Sequence, residues 1–178
     1  QPLAGWIGHA APFEFTLGYR PAAGISRYLC GTPAVLSLAA LECGVDTVLA
    51  AEPLGGMAAL RRKSLALTRL FAEQVQASCP SLKLVSPRDD TQRGSQVCLS
   101  HPQVAYPVVQ ALIGRSVIGD FRAGDTSHPA GAVDILRFGF TPLYLRFVDA
   151  WDAAEQLRQV LESGEWQRPE FNQRQAVT

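Results

Sequence analysis

Hydrophobic and polar positions change their rhythm along this chain. Residues 1–32 are rich in Gly, Pro and aromatics and hold no sustained period, so they read as loops and short extended pieces, GWIGHAAPFEF and then YRPAAGISRYLCGT. A helix is expected from Thr32-Pro33. Thr is a favoured N-cap, and Pro at the first helical position gives up only an N–H that has no partner there. The run that follows, PAVLSLAALECGVDTVLAAE, is apolar on nearly every face, which predicts a helix buried between two domains or subunits. Pro53 and Gly55-Gly56 stop it and mark the boundary between segments 1–52 and 53–178.

A helical period takes over from Met57 to about Cys79. Leu60, Ser64, Leu67, Phe71 and Val75 fall on one face, and Arg61, Arg62, Arg69 and Glu73 lie elsewhere. LKLVS (82–86) and SQVCLS (95–100) are short β-type runs separated by the polar turn PRDDTQRG, where Asp89 and Asp90 read as solvated. A helix near Tyr106–Arg115 keeps Pro107 in its first turn, where proline is tolerated. SVIGDF (116–121) and DILRFGF (134–140) predict two more strands. A last helix over Arg146–Ser163 places Phe147, Trp151, Ala154 and Leu161 on its buried face and stops at Gly164. The order α-β-β-α-β-β-α implies a small α/β sandwich, helices packed on a mixed sheet.

Composition narrows the classes of function. An apolar fraction of 47% with 18% charged residues describes a globular chain with a real core. Sixteen basic and sixteen acidic residues cancel, so no positive field recommends nucleic acid or an anionic membrane. Only two of the basic residues are lysines, Lys63 and Lys83. Cys30, Cys43, Cys79 and Cys98 are scattered, without the spacing of a metal site, and read as reduced cytosolic thiols. No apolar run is long enough to span a bilayer. The opening Gln-Pro-Leu-Ala-Gly-Trp lacks Met and reads as mid-protein sequence.

Candidate chemistry sits in three places. Cys30-Gly31-Thr32-Pro33 precedes a helix N-terminus, whose unpaired N–H groups and positive dipole end suit a phosphate. An ordinary N-cap explains the same tetrapeptide. Trp6, between Gly5 and Gly8, is either an apolar anchor or an indole N–H donor, and His9 beside it is either a general base or a hydrogen-bonded structural residue. Arg137 alternates with Leu136 and Phe138 in a strand, so its guanidinium points away from the apolar face. There it can take a ligand carboxylate through two N–H groups or pair with a protein acid on a solvated sheet face.

In order, GW-I-GH, YRPAAGISRYLCGTP, LSLAALECG, LRRKSLALT, RGSQV, VIGDFR, DILRFGFTPLY and W-x-x-PEFNQRQAVT resemble the C-terminal part of bacterial kynureninases over nearly the whole chain. The resemblance implies a fold-type-I pyridoxal 5'-phosphate (PLP) enzyme, cytoplasmic and homodimeric, that hydrolyses L-kynurenine to anthranilate and L-alanine in tryptophan catabolism. On that reading residues 1–52 are the end of the large PLP-binding domain plus an interdomain helix, and 53–178 are the small C-terminal α/β domain. Trp6 and Thr32 would hydrogen-bond the phosphate of the neighbouring subunit's cofactor, and Arg137 would clamp the substrate α-carboxylate. Thr32 stands where animal relatives that prefer the 3-hydroxylated substrate have Asn, which leans towards plain kynurenine.

The family's cofactor lysine lies upstream of the resembling region, and neither Lys63 nor Lys83 has its aromatic context. No catalytic residue is therefore expected in the chain itself, nor covalent PLP binding by it. Ile7 replaces a usual aromatic, and 123–133 is an insertion entering the Arg137 strand. The competing reading is a non-catalytic homologue that serves as a dimerisation module through its apolar helix.

Overall fold

Residues 4–101, 104–124 and 133–173 are described by a computed structural model. The chain divides into two units, Gln1–Ala50 and Ala51–Thr178. In the first, Gly5 and Gly8 set the shape. A side-chain carbon on Gly5 would lie 1.6 Å from the Cys30 carbonyl oxygen, and one on Gly8 would lie 2.4 Å from that of Arg27. Only hydrogen at these positions lets the turn Trp6–Gly8 lie against the turn Gly24–Tyr28. Backbone bonds Ala10 N to Arg20 O (2.7 Å) and Ala22 N to Gly8 O (2.8 Å) fasten the connection.

Helix α1 spans Val35–Leu49, two residues later than Thr32-Pro33 led us to expect. Ala34 stands at the N-cap with ψ 87°, outside helical range, and its carbonyl accepts the first ladder bond, from Leu38 N–H at 2.9 Å. Thr32 does not cap. None of its residues is buried and Leu36 is 87% exposed, so the burial expected between two domains or subunits is not supplied by contacts within the first unit. Its apolar faces need a covering surface, which the first unit is too small to provide.

The second unit follows the expected order with shifted ends. Helix α2 is Gly56–Ser78, and Ser64, Leu67, Phe71 and Val75 are buried as their spacing predicted. Strands β1 (Lys83–Leu84), β2 (Gln96–Ser100), β3 (Asp120–Arg122) and β4 (Ile135–Gly139) form one sheet in the order β1-β2-β4-β3. Every pairing is antiparallel, so the sheet is not mixed. β4 runs between β2 and β3, antiparallel to both, with Leu99 opposite Leu136 and Val97 opposite Phe138. Those four side chains form the sheet's buried face, and Phe71 of α2 packs against Phe138 and Phe140 at 5.0 Å each.

Helix α3 covers Ala105–Gly114, and the strand expected at 116–121 starts only at 120. Residues 115–117 instead close the end of α3 by donating their N–H groups to Leu112 and Ile113, with Ser116 at φ 64°. Helix α4 (Phe147–Ser163) ends at Gly164 in the left-handed region, as expected. Its buried face is Ala150, Ala154, Leu157 and Val160 rather than the stripe through Phe147 and Trp151, which are about half exposed. Small alanines let α4 approach α2, and the bulky aromatics face outward. A short helix α5 (Pro169–Asn172) follows. Asp90 is not merely solvated: its carboxylate accepts from Arg69 and from the buried Arg93, and its carbonyl accepts from Arg61 at 2.7 Å.

Most of the 123–133 insertion lies outside the described residues. Among the described residues no helix is long and apolar enough to cross a membrane.

Candidate functional site

In the first unit Trp6 stands half exposed, packed edge-on against Phe13 at 5.3 Å. It opens onto a cavity of about 520 Å³ that is walled by the segment 4–19 and includes His9, Phe15 and Tyr19. Its indole N–H has no hydrogen-bond acceptor among the described residues. His9 is committed at both ring nitrogens. Nδ1 accepts from the Ala11 N–H at 2.9 Å, and Nε2 lies 3.2 Å from the Gly18 carbonyl oxygen. An acceptor at Nδ1 and a carbonyl at Nε2 require the neutral ring with its proton on Nε2. His9 thus ties down the cavity wall, and the general-base alternative loses its free lone pair.

Thr32 lies in an exposed bend ahead of α1. Because the helix starts at Val35, the Thr32 hydroxyl is not spent on a cap. The close approach of Gly5 to Cys30 joins the two sequence motifs backbone to backbone, and each carries a polar group with no partner among the described residues. Both are hydrogen-bond donors, which is the chemistry an anion requires.

In the second unit the sheet has one face under helices and one open face. Arg137 projects from the open face, 31% exposed at its side chain, opposite Cys98 on β2 and Asp120 on β3. Its Nη2 donates to Asp120 Oδ2. The same carboxylate oxygen is 2.9 Å from Nη2 of Arg122. One acid between two guanidiniums leaves this patch with a net positive charge. The pairing with a protein acid left open for Arg137 is present, with Asp120 as the acid, a partner that VIGDFR and DILRFGF contain once their strands are laid antiparallel.

Lys63, on α2, donates to the Pro142 carbonyl at 2.8 Å, and Lys83 is on the edge strand β1. Among the described residues no group of His, Cys, Asp and Glu is gathered for a metal ion. Trp6 and Thr32 belong to the first unit and Arg137 to the second.

Comparison with known proteins places these features. The fold matches the apo structure of a cysteine desulfurase from Thermococcus onnurineus NA1 with TM-score 0.64 at 18% identity, over 91% of this chain and 38% of that one. Together with the helix-covered antiparallel sheet, this likeness shows the fold, the α/β arrangement of that part of the desulfurase chain. Residues 60–157 match the family described as kynureninase C-terminal domain. The kynureninase of Burkholderia mallei strain SAVP1 is 51% identical over 180 residues, and that of Pseudomonas fluorescens 47%, each alignment covering all of this chain. The chain belongs to the kynureninase family. It spans 40% of the length of these relatives.

Proposed function

We propose that this chain supplies the phosphate-gripping and carboxylate-gripping side chains of a cytoplasmic, homodimeric kynureninase that hydrolyses L-kynurenine to anthranilate and L-alanine. The observation that carries the reading is the pair of unspent donors, Trp6 and Thr32, on two segments locked together at Gly5 and Cys30. Those donors fit the phosphate of PLP: an indole N–H and a hydroxyl ahead of a helix N-terminus can each give it a hydrogen bond. When bound, PLP supplies the electron sink for breaking a carbon–carbon bond beside an amino-acid centre.

This chain's own residues bind and orient. Arg137 keeps a two-donor edge of its guanidinium for the substrate α-carboxylate, fixing the amino-acid end. His9 holds the cavity wall beside Trp6 through its two ring nitrogens. The uncovered apolar faces of α1 suit burial against a second subunit or the remainder of a longer enzyme. Thr32 in place of Asn favours kynurenine without the ring hydroxyl. Lys63 is spent on the Pro142 carbonyl and Lys83 lies on the edge strand β1, which supports a cofactor lysine supplied from outside this sequence.

The alternative, a non-catalytic module that pairs through α1, draws on the same exposed helix. The two readings separate in the full-length protein that carries this segment. The enzyme reading expects turnover of L-kynurenine with PLP, and expects Arg137→Gln to cut kcat/KM roughly 10- to 100-fold, the worth of a charged hydrogen-bonded contact. A full-length protein that binds PLP but shows no turnover, or an Arg137→Gln variant with unchanged kcat/KM, overturns it. This chain alone, treated with PLP and borohydride, should show no cofactor fixed on Lys63 or Lys83.

A further inference from the structure

We propose that Asp120 is a positioning residue for carboxylate recognition: it holds the Arg137 guanidinium in place so that its unspent edge meets the incoming acid group. The inference rests on the reading that Arg137 takes the substrate carboxylate.

The placement is built into the sheet. β3 and β4 are antiparallel, and Asp120 is the direct cross-strand neighbour of Arg137. Side chains so paired share one face with their Cβ atoms about 5 Å apart, close enough for a short acid to reach the end of an arginine. Asp120 is too short to wrap the guanidinium, and its Oδ2 engages only Nη2. A guanidinium has five N–H donors in a rigid planar fork, so contact at Nη2 leaves one two-donor edge unspent. A second carboxylate can take that edge without displacing the first.

Arg122 makes the holder dependable. It is the next residue on the same face of β3, and its Nη2 lies 2.9 Å from the same Asp120 oxygen. Two positive groups around one negative leave the trio with a net charge of +1, so the patch still attracts an anion after Asp120 is satisfied. Arg122 and Asp120 are more exposed than Arg137, at 59% and 41% against 31%. Pairs this open to solvent contribute little to stability. What the pair does provide is order in a long side chain that otherwise samples many rotamers before each binding event.

Two effects of Asp120→Asn then oppose each other in sign, which makes the test decisive. If Asp120 only offsets charge, removing it strengthens the local positive field and tightens binding of an anion. If Asp120 positions Arg137, its removal frees the guanidinium and weakens binding. The amide keeps the size of the side chain, and the site is open to solvent, so folding should be unaffected. A thermal melt of each variant checks this, and Asp120→Ser serves as a second variant.

The measurement uses the full-length, PLP-loaded protein carrying this segment. KM and kcat for L-kynurenine are compared with the calorimetric Kd of L-alanine, which presents the same α-carboxylate without turnover. We expect Asp120→Asn to raise both KM and the alanine Kd roughly three- to ten-fold, the affinity lost when one rotamer-rich side chain must be ordered on binding, with kcat within twofold. In an Arg137→Lys background the same change should add nothing, because Asp120 acts through Arg137. Unchanged or tighter binding in Asp120→Asn, a loss confined to kcat, or full additivity with Arg137→Lys overturns the proposal. If Arg137→Gln itself leaves KM and alanine binding untouched, the assignment of Arg137 fails. If Arg137→Gln weakens both and Asp120→Asn does not, only the positioning role fails.

Discussion

Phe71 is the keystone beneath the strand that carries Arg137, and its truncation gives the sharpest test of the packing. Its ring is fully buried and lies 5.0 Å from the rings of both Phe138 and Phe140, which flank the open-face residue Gly139. Phe71→Ala forfeits the burial of a large side chain, about 1.5–3 kcal/mol. It also leaves a void of roughly 100 Å³, worth about 2 kcal/mol more at ~24 cal/mol per Å³ if the site does not collapse. The expected loss is therefore about 3–5 kcal/mol. Set against a net stability of about 5–15 kcal/mol for an ordinary domain, that is a large share. In a melt followed by circular dichroism, the second unit's transition should fall by roughly 10–20 °C. Trp151→Ala provides the contrast: the residue is half exposed and off the buried stripe of α4, so its loss should cost within about 1 kcal/mol. A shift below about 3 °C for Phe71→Ala, or a larger one for Trp151→Ala, would refute the described core and the rotation of α4.

Further expectations concern acid sensitivity and close packing. The Arg115 guanidinium, with Nε 3.0 Å from Glu165, holds that carboxyl below its ordinary range, and Arg158 with Gln159 lowers Glu155 to about 2. Both folded values lie below the unfolded one, so the stabilisation is fully present above a pH of about 4.3 and fades as pH falls towards the folded values. Arg115→Gln should therefore flatten the stability of the second unit between about pH 5 and 3 in urea titrations, and an unchanged slope would count against the pairing. Gly5→Ala drives a carbon into the Cys30 carbonyl. It should raise the PLP Kd of the full-length protein at least several-fold while leaving the second unit's melting transition in place. An unaltered PLP Kd would show that the contact does not organise the phosphate donors.

What the residues spelled out by themselves was local. The 3.6 period of Ser64, Leu67, Phe71 and Val75, the alternation in QVCLS and DILRFGF, and the stop at Gly164 each depend on neighbours within a few positions. Each reappears in the structure with ends shifted by a few residues. The run of motifs from GWIGH to DILRFGFTPLY was likewise legible, and it pointed to the family that the relatives show. Tertiary contacts decided the rest. Two stripes of α4 were both apolar enough to be buried, and the choice between Ala154-Leu157-Val160 and Phe147-Trp151 went to the one whose small residues admit α2. Whether Thr32 caps a helix or keeps its hydroxyl depended on where α1 begins, which propensity alone does not fix. The partner of Arg137 followed from strand order and register, since Asp120 is 17 residues away in the chain and adjacent only once β3 lies beside β4. Periodicity is a property of neighbouring residues, whereas a pairing across a sheet exists only after distant segments have been brought together.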